Sequence, residues 1–131
     1  MDDAACLDHT LDLVAQRVGD PAPLVFARLF AEAPDLQALF CNDASGAVRA
    51  EMFLRTLECL QDAAGARQFS AGLVAAEHQT HQGYGVSTAQ FQRFFDLVVA
   101  VFRDTLGADW TAEIDAAWAR ALRRLAQGAP A

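Results

Sequence analysis

The stretch His81-Gln82-Gly83-Tyr84-Gly85-Val86 lies between two helical patterns, and five residues beyond Val86 stands Phe91. Its two glycines provide a chain reversal. Ser87, with Gln90 three residues on, has the form of a capping box that opens the next helix. A histidine therefore closes one helix just before a strongly apolar one begins. From Phe91 through Phe94, Phe95, Leu97, Val98, Val99, Val101 and Phe102 the second helix is apolar nearly all round, which predicts a central, buried element.

Helical spacing continues in both directions from this turn. Leu7, Leu11, Val14 and Val18 recur at intervals of three and four and predict a first amphipathic helix. Gly19-Asp20-Pro21 ends it and starts a second, with Asp20 as N-cap and Pro21 suited to the first helical position. That helix carries Leu24, Phe26, Leu29 and Phe30 and stops near Pro34. Cys41 to Gly46 reads as a turn-rich loop. A third helix starts between Ser45 and Val48, carries Met52, Phe53, Leu57 and Leu60, and fades at Asp62-Ala63-Ala64-Gly65. Phe69, Leu73 and Val74 mark the helix that runs into His81. Gly107 ends the phenylalanine-rich helix, and Thr111 caps a last one with Ile114, Trp118, Ala121, Leu122 and Leu125 at the 3.6-residue period. No alternating strand pattern, repeat or linker interrupts the series. The expectation is all-α, with about six or seven helices, in a single domain over 1–131 with its core at about 5–126 and a frayed tail from Gln127.

Composition narrows the function. Fifty-three per cent hydrophobic and 21% charged residues fit a soluble globular chain. The net charge of −7 leaves no basic stripe for nucleic acid. All ten basic residues are Arg, so Schiff-base chemistry and the phosphate-binding GK motif have no candidate residue. Cys6, Cys41 and Cys59 are an odd set without CxxC spacing, and are expected to be reduced thiols in the cytoplasm. Met1-Asp2-Asp3 is acidic where a signal peptide needs positive charge. The apolar run from Leu97 to Phe102 is six residues, against the roughly 20 needed to span a bilayer. No Ser-His-Asp or Cys-His constellation is inferable.

Pro34-Asp35-Leu36-Gln37-Ala38-Leu39-Phe40, followed later by His81-x-x-Tyr-Gly-Val and then by Leu106-Gly107-Ala108-Asp109-Trp110-Thr111 with Ala117-Trp118, resembles the globin family over roughly Ala5 to Ala126. The likeness is nearest to bacterial single-domain globins and the globin half of flavohaemoglobins. It implies haem b as cofactor, His81 as the proximal iron ligand and Phe40 as the ring stacked on the porphyrin. It also places Tyr84, Val86, Phe91 and Phe94 against the cofactor. The chemistry suits those roles: haem is a flat apolar disc with two carboxylates, which needs an apolar slot and an axial imidazole.

On the other side of the expected pocket, family spacing applied without gaps places Arg49 over the iron, with Phe53 a turn later and Phe26 on the second helix. A shift of one residue substitutes Val48 and Met52. Core logic favours the Arg49 register, which sets Ala50 at a close helix crossing and turns Phe53, Leu54, Leu57 and Leu60 inward. Arg49 would then hydrogen-bond a bound gas; if it reaches a propionate or solvent instead, the pocket is apolar and favours NO or CO over O₂. The plainer reading of Arg49 is an exposed side chain on a helix surface.

Flavohaemoglobins carry a tyrosine where Phe26 stands and another where Phe91 stands, and a flavin or nicotinamide domain is not expected here. Self-contained NO dioxygenase activity is therefore put in doubt. Glu77, one turn before His81, is a candidate to hydrogen-bond the imidazole through its carboxylate or its backbone carbonyl. His78 is an alternative axial ligand, and His78-x-x-His81 with Glu77 an alternative non-haem metal face. The resulting expectation is a haem protein that reversibly binds a diatomic gas, for oxygen binding and transport or for NO oxidation with a separate reductase. The competing expectation is a haem-free globin fold acting as a sensor or interaction module. A monomer and a homodimer both fit, the latter if Leu97 and Val99 face outward.

Overall fold

The computed structural model describes residues 1–65 and 70–128; within these, the side chains of 70–75, 78 and 127–128 lie outside what it describes. The described residues contain six α-helices and two short 3₁₀ segments, and no strand. The helices are α1 (Asp3–Val18), α2 (Ala22–Glu32), α3 (Ala47–Ala64), α4 (Ser70–Gly83), α5 (Thr88–Leu106) and α6 (Ala112–Gly128). The 3₁₀ segments are Pro34–Phe40 and Gly107–Asp109.

Local chemistry explains most boundaries. The Asp2 carboxylate accepts from the Ala5 amide at 2.8 Å and starts α1. At α2 the boundary differs from expectation: Pro21, not Asp20, is the N-cap and the helix begins at Ala22, while the Asp20 carboxylate accepts from the Ala22 amide at 3.0 Å in the turn before it. Ser87 and Gln90 form the expected reciprocal capping box on α5. Thr111 Oγ1 accepts from the Ile114 amide at 3.2 Å at the head of α6. The expected helix through Leu73 and Val74 into His81 is α4, with Phe69 outside the described residues; α6 runs on to Gly128, past the expected start of a frayed tail at Gln127, and 129–131 lie outside the described residues.

The core forms where α5 and α6 meet α1 and α3. Phe102 and Trp118 are fully buried, with ring centroids 5.5 Å apart in an edge-on arrangement, and Phe53 meets Phe102 in the same way at 6.4 Å. Trp118 Nε1 donates to Thr10 Oγ1 at 3.1 Å, and Thr10 Oγ1 donates to the Cys6 carbonyl at 2.7 Å. That chain satisfies the buried polar groups of the core, as burial requires. Leu97 and Val99 are buried as well, so they present no apolar surface to a second copy. No helix among the described residues is long and apolar enough to cross a membrane.

The third helix departs from expectation. Leu54 and Ala50 are exposed, so neither an inward Leu54 nor a close crossing at Ala50 is found. Phe53, Thr56, Cys59, Leu60 and Ala63 are the buried positions instead. This helix has two apolar edges: one enters the Phe102–Trp118 core, and the other, carrying Val48 and Met52, lines a cavity.

Candidate functional site

The 3₁₀ segment, α3, the end of α4, the glycine turn and the start of α5 line a cavity of about 710 Å³ that opens to solvent. That size falls in the range of about 300–1,000 Å³ usual for small-molecule and cofactor sites. Its walls are mainly apolar: Phe40 from the 3₁₀ segment, Val48 and Met52 from α3, Val86 from the turn, Phe91 and Phe94 from α5. Three of the large hydrophobic side chains left exposed, Leu39, Val48 and Tyr84, stand on this lining. Apolar surface turned to water around one cavity is the mark of a binding site rather than of incomplete packing.

His81 belongs to the lining and is held from both sides. Its Nδ1 lies 2.6 Å from the Glu77 carbonyl. A carbonyl only accepts, so Nδ1 carries the hydrogen, and in the neutral ring Nε2 keeps its lone pair for a metal. This is the outer contact that orients a metal-binding imidazole. The Glu77 carboxylate is 4.0 Å from Nδ1, beyond hydrogen-bonding distance, so of the two expected partners it is the backbone that makes the bond. The His81 carbonyl accepts from both the Tyr84 and Val86 amides at 3.0 Å, and Gly85 closes the turn at φ +83°, a conformation natural to glycine. Phe91 stands 5.1 Å from the imidazole, ring to ring.

On the α3 side, the polar atoms near the cavity are already engaged. The Asp43 carboxylate, only 6% exposed, accepts from the Val48 amide at 3.0 Å and the Arg49 amide at 3.0 Å. It also takes Arg49 Nε at 3.1 Å, while the Asp43 carbonyl takes Arg49 Nη2 at 2.9 Å. Burial alone would push the Asp43 carboxyl up, but these amides and the guanidinium outweigh it and hold it below its ordinary range. Arg55 donates to Glu51 at 2.9 Å, and Thr56 donates to the Met52 carbonyl at 2.8 Å. Burial, reinforced by Asp62, Glu58 and Glu77, pushes the Cys59 thiol up to about 11, so it is neutral and a poor ligand at physiological pH.

Of the residues singled out in the sequence, Phe40, Met52, Glu77, His81, Tyr84, Val86, Phe91 and Phe94 come together on this lining. Three others do not. Arg49 is drawn back to Asp43, and the one-residue shift to Val48 and Met52 is what the structure contains. Phe53 points to Phe102 in the core. Phe26 is buried behind the wall, with ring centroids 5.6 Å from Phe40 and 5.3 Å from Phe94, and it supports both. The His78 side chain lies outside the described residues. Among those described, no three His, Cys, Asp or Glu side chains converge as a metal site. Sequence reasoning did not pick out Leu29, Leu36, Phe95 and Cys59, which also line the cavity. The Val48–Met52–Cys59 spacing of four and seven is the signal that marks the α3 members as one stripe.

These features define a class: an all-α domain built around an apolar cavity, with one described histidine positioned to offer a metal its free nitrogen. The chain belongs to the globin family, whose model, described as Globin, matches residues 24–129. Neither a curated protein nor a solved structure matches it.

Proposed function

We propose that the cavity holds haem b, with His81 as the axial ligand of its iron, and that the protein reversibly binds a diatomic gas there. The observation that carries this reading is the His81 Nδ1 contact to the Glu77 carbonyl, which reserves Nε2 on the lining of an apolar cavity of about 710 Å³. The residues fit the group on two further counts. Leu39, Val48 and Tyr84 supply exposed apolar surface for a flat apolar disc to cover. Arg55 places a guanidinium on the lining, where a propionate would compete with Glu51 for it.

Haem supplies an iron able to take up and release O₂, NO or CO. The chain fixes the imidazole, excludes water with its phenylalanines and sets the polarity around the gas. O₂ held in such a pocket would call on a hydrogen-bond donor from the chain, which NO and CO would need far less. With Val48 and Met52 on the α3 wall and Arg49, Arg55 and Thr56 already bonded, the arrangement favours NO or CO over O₂. NO oxidation would call for a source of electrons, for which a reductase is the proposed partner, and the cytoplasm suits the three free thiols.

Titration of the apo protein with haemin is expected to give a Soret band saturating at one equivalent, and a CO adduct after reduction. A featureless titration would instead support the haem-free sensor or interaction module. In the haem-loaded ferrous protein, Glu77→Gln is expected to leave the iron–histidine stretching frequency unchanged, because the carbonyl and not the carboxylate bonds the ring. A downshift in that variant would show that the carboxylate governs the histidine.

A further inference from the structure

We infer that Asp43 is a specificity-determining residue of this cavity: by holding the Arg49 guanidinium away, it keeps the gas-facing α3 wall apolar. The inference rests on the reading of the cavity as a haem pocket. Its physical basis is the position of Arg49 on the helix. Arg49 precedes Thr56 by seven residues, so the two lie only about 20° apart around the axis. Thr56 lines the cavity, as does Val48, the immediate neighbour of Arg49. Arg49 thus emerges at the border of the cavity face, and its long side chain has two directions open to it.

The loop before α3 decides between them. Gly46, at φ +79°, turns the chain so that Asp43 faces the first turn of the helix. The Asp43 carboxylate is anchored by the Val48 and Arg49 amides, so it is a fixed acceptor and not a mobile one. From that anchorage it takes Arg49 Nε, while its carbonyl takes Nη2, and together they bind the guanidinium through two of its nitrogens. One residue therefore both caps α3 and draws a cation back from the border of the cavity face, on a wall whose other α3 cation, Arg55, is paired with Glu51. The Arg49 side chain remains one-third exposed.

Asp43→Asn separates the two roles. The amide oxygen still accepts one backbone N–H, but an NH₂ group then faces the atoms that Oδ2 now accepts, and the negative charge is gone. In haem-loaded protein the expected result is slower O₂ release, by about ten-fold or more, as a guanidinium becomes free to donate to the bound gas. The CO stretching band should move to lower wavenumber in parallel. Arg49→Leu alone should leave both quantities at the parent value, and Asp43→Asn with Arg49→Leu should return to it.

Faster release in Arg49→Leu would place Arg49 inside the cavity already and overturn the inference. A change that persists in the double variant would do so too. A third measurement needs no haem: the Arg49 Nε–H resonance of the apo protein should be protected from exchange, and should lose that protection in Asp43→Asn. An unprotected resonance in the parent overturns the hold by Asp43 whether or not haem binds, whereas loss of the Soret band with the resonance protected refutes the haem reading alone.

Discussion

Replacing His81 by glycine is expected to weaken haem binding by at least about 100-fold and to abolish the spectrum of a histidine-ligated ferrous haem. Loss of a partner that merely orients a metal ligand costs about 10–100-fold in affinity, so loss of the ligand itself lies at or above that range. The glycine leaves a space the size of an imidazole between Phe91 and the last turn of α4, where the ring now stands 5.1 Å from Phe91. Added imidazole should therefore enter and restore the parent spectrum. Rescue separates loss of a ligand from collapse of the fold, because a misfolded cavity has no reason to recover with a free imidazole. A parent-like spectrum in the variant without imidazole would remove His81 from the iron and point the same experiment at His78.

Why His81 is legible in the sequence, and Arg49 is not, follows from the range of the forces that place them. The histidine is set by its own neighbourhood. Gly85 turns the chain, Ser87 and Gln90 cap the next helix, and the carbonyl one turn earlier accepts a hydrogen bond from the ring. Each of those residues lies within ten positions of His81, so the sequence displays the whole arrangement. The direction of Arg49 depends instead on a loop residue whose rotamer, burial and backbone turn must all be known together.

The register of α3 illustrates a second limit. A helix lying between a protein core and a cofactor cavity is apolar on two edges. Phe53 and Leu60 serve the first edge, Val48 and Met52 the second, and Leu54 serves neither. Periodicity counts all of these as core. What tells the edges apart is contact with other helices: Phe53 has Phe102 to meet, whereas Val48 remains more than half exposed on the cavity wall. Phe26 presents the converse case. It has the composition of a pocket residue but lies in the layer behind, where its packing on Phe40 and Phe94 keeps the wall in place. The membership of the fold was therefore readable from local pattern, and the polarity of the cavity was not.

The largest expected effect on stability comes from Phe102→Ala. Phe102 is fully buried and its ring meets both Trp118 and Phe53 edge-on. Truncating such a side chain costs about 3–5 kcal/mol, from lost transfer energy and from the cavity left behind. Against a total of about 5–15 kcal/mol for a typical domain, that is a large fraction. It corresponds to a fall of roughly 10–20 °C in Tm for a chain of this length. Leu54→Ala on the exposed edge of α3 serves as the control and should stay within about 0.5 kcal/mol. Equal losses in the two variants would mean that the core is not centred on Phe102. The same helix carries Phe91, Phe94 and Phe95 on the cavity wall, two to three turns from Phe102, so core and site are coupled through α5. A ligand that binds only the folded protein adds stability, about 2.7 kcal/mol when present at 100 times its Kd. Haem should therefore recover much of the lost Tm in Phe102→Ala, but not in Phe102→Ala combined with His81→Gly, where its anchor is gone. Equal recovery in both would show that the cofactor's contribution to the fold does not run through His81.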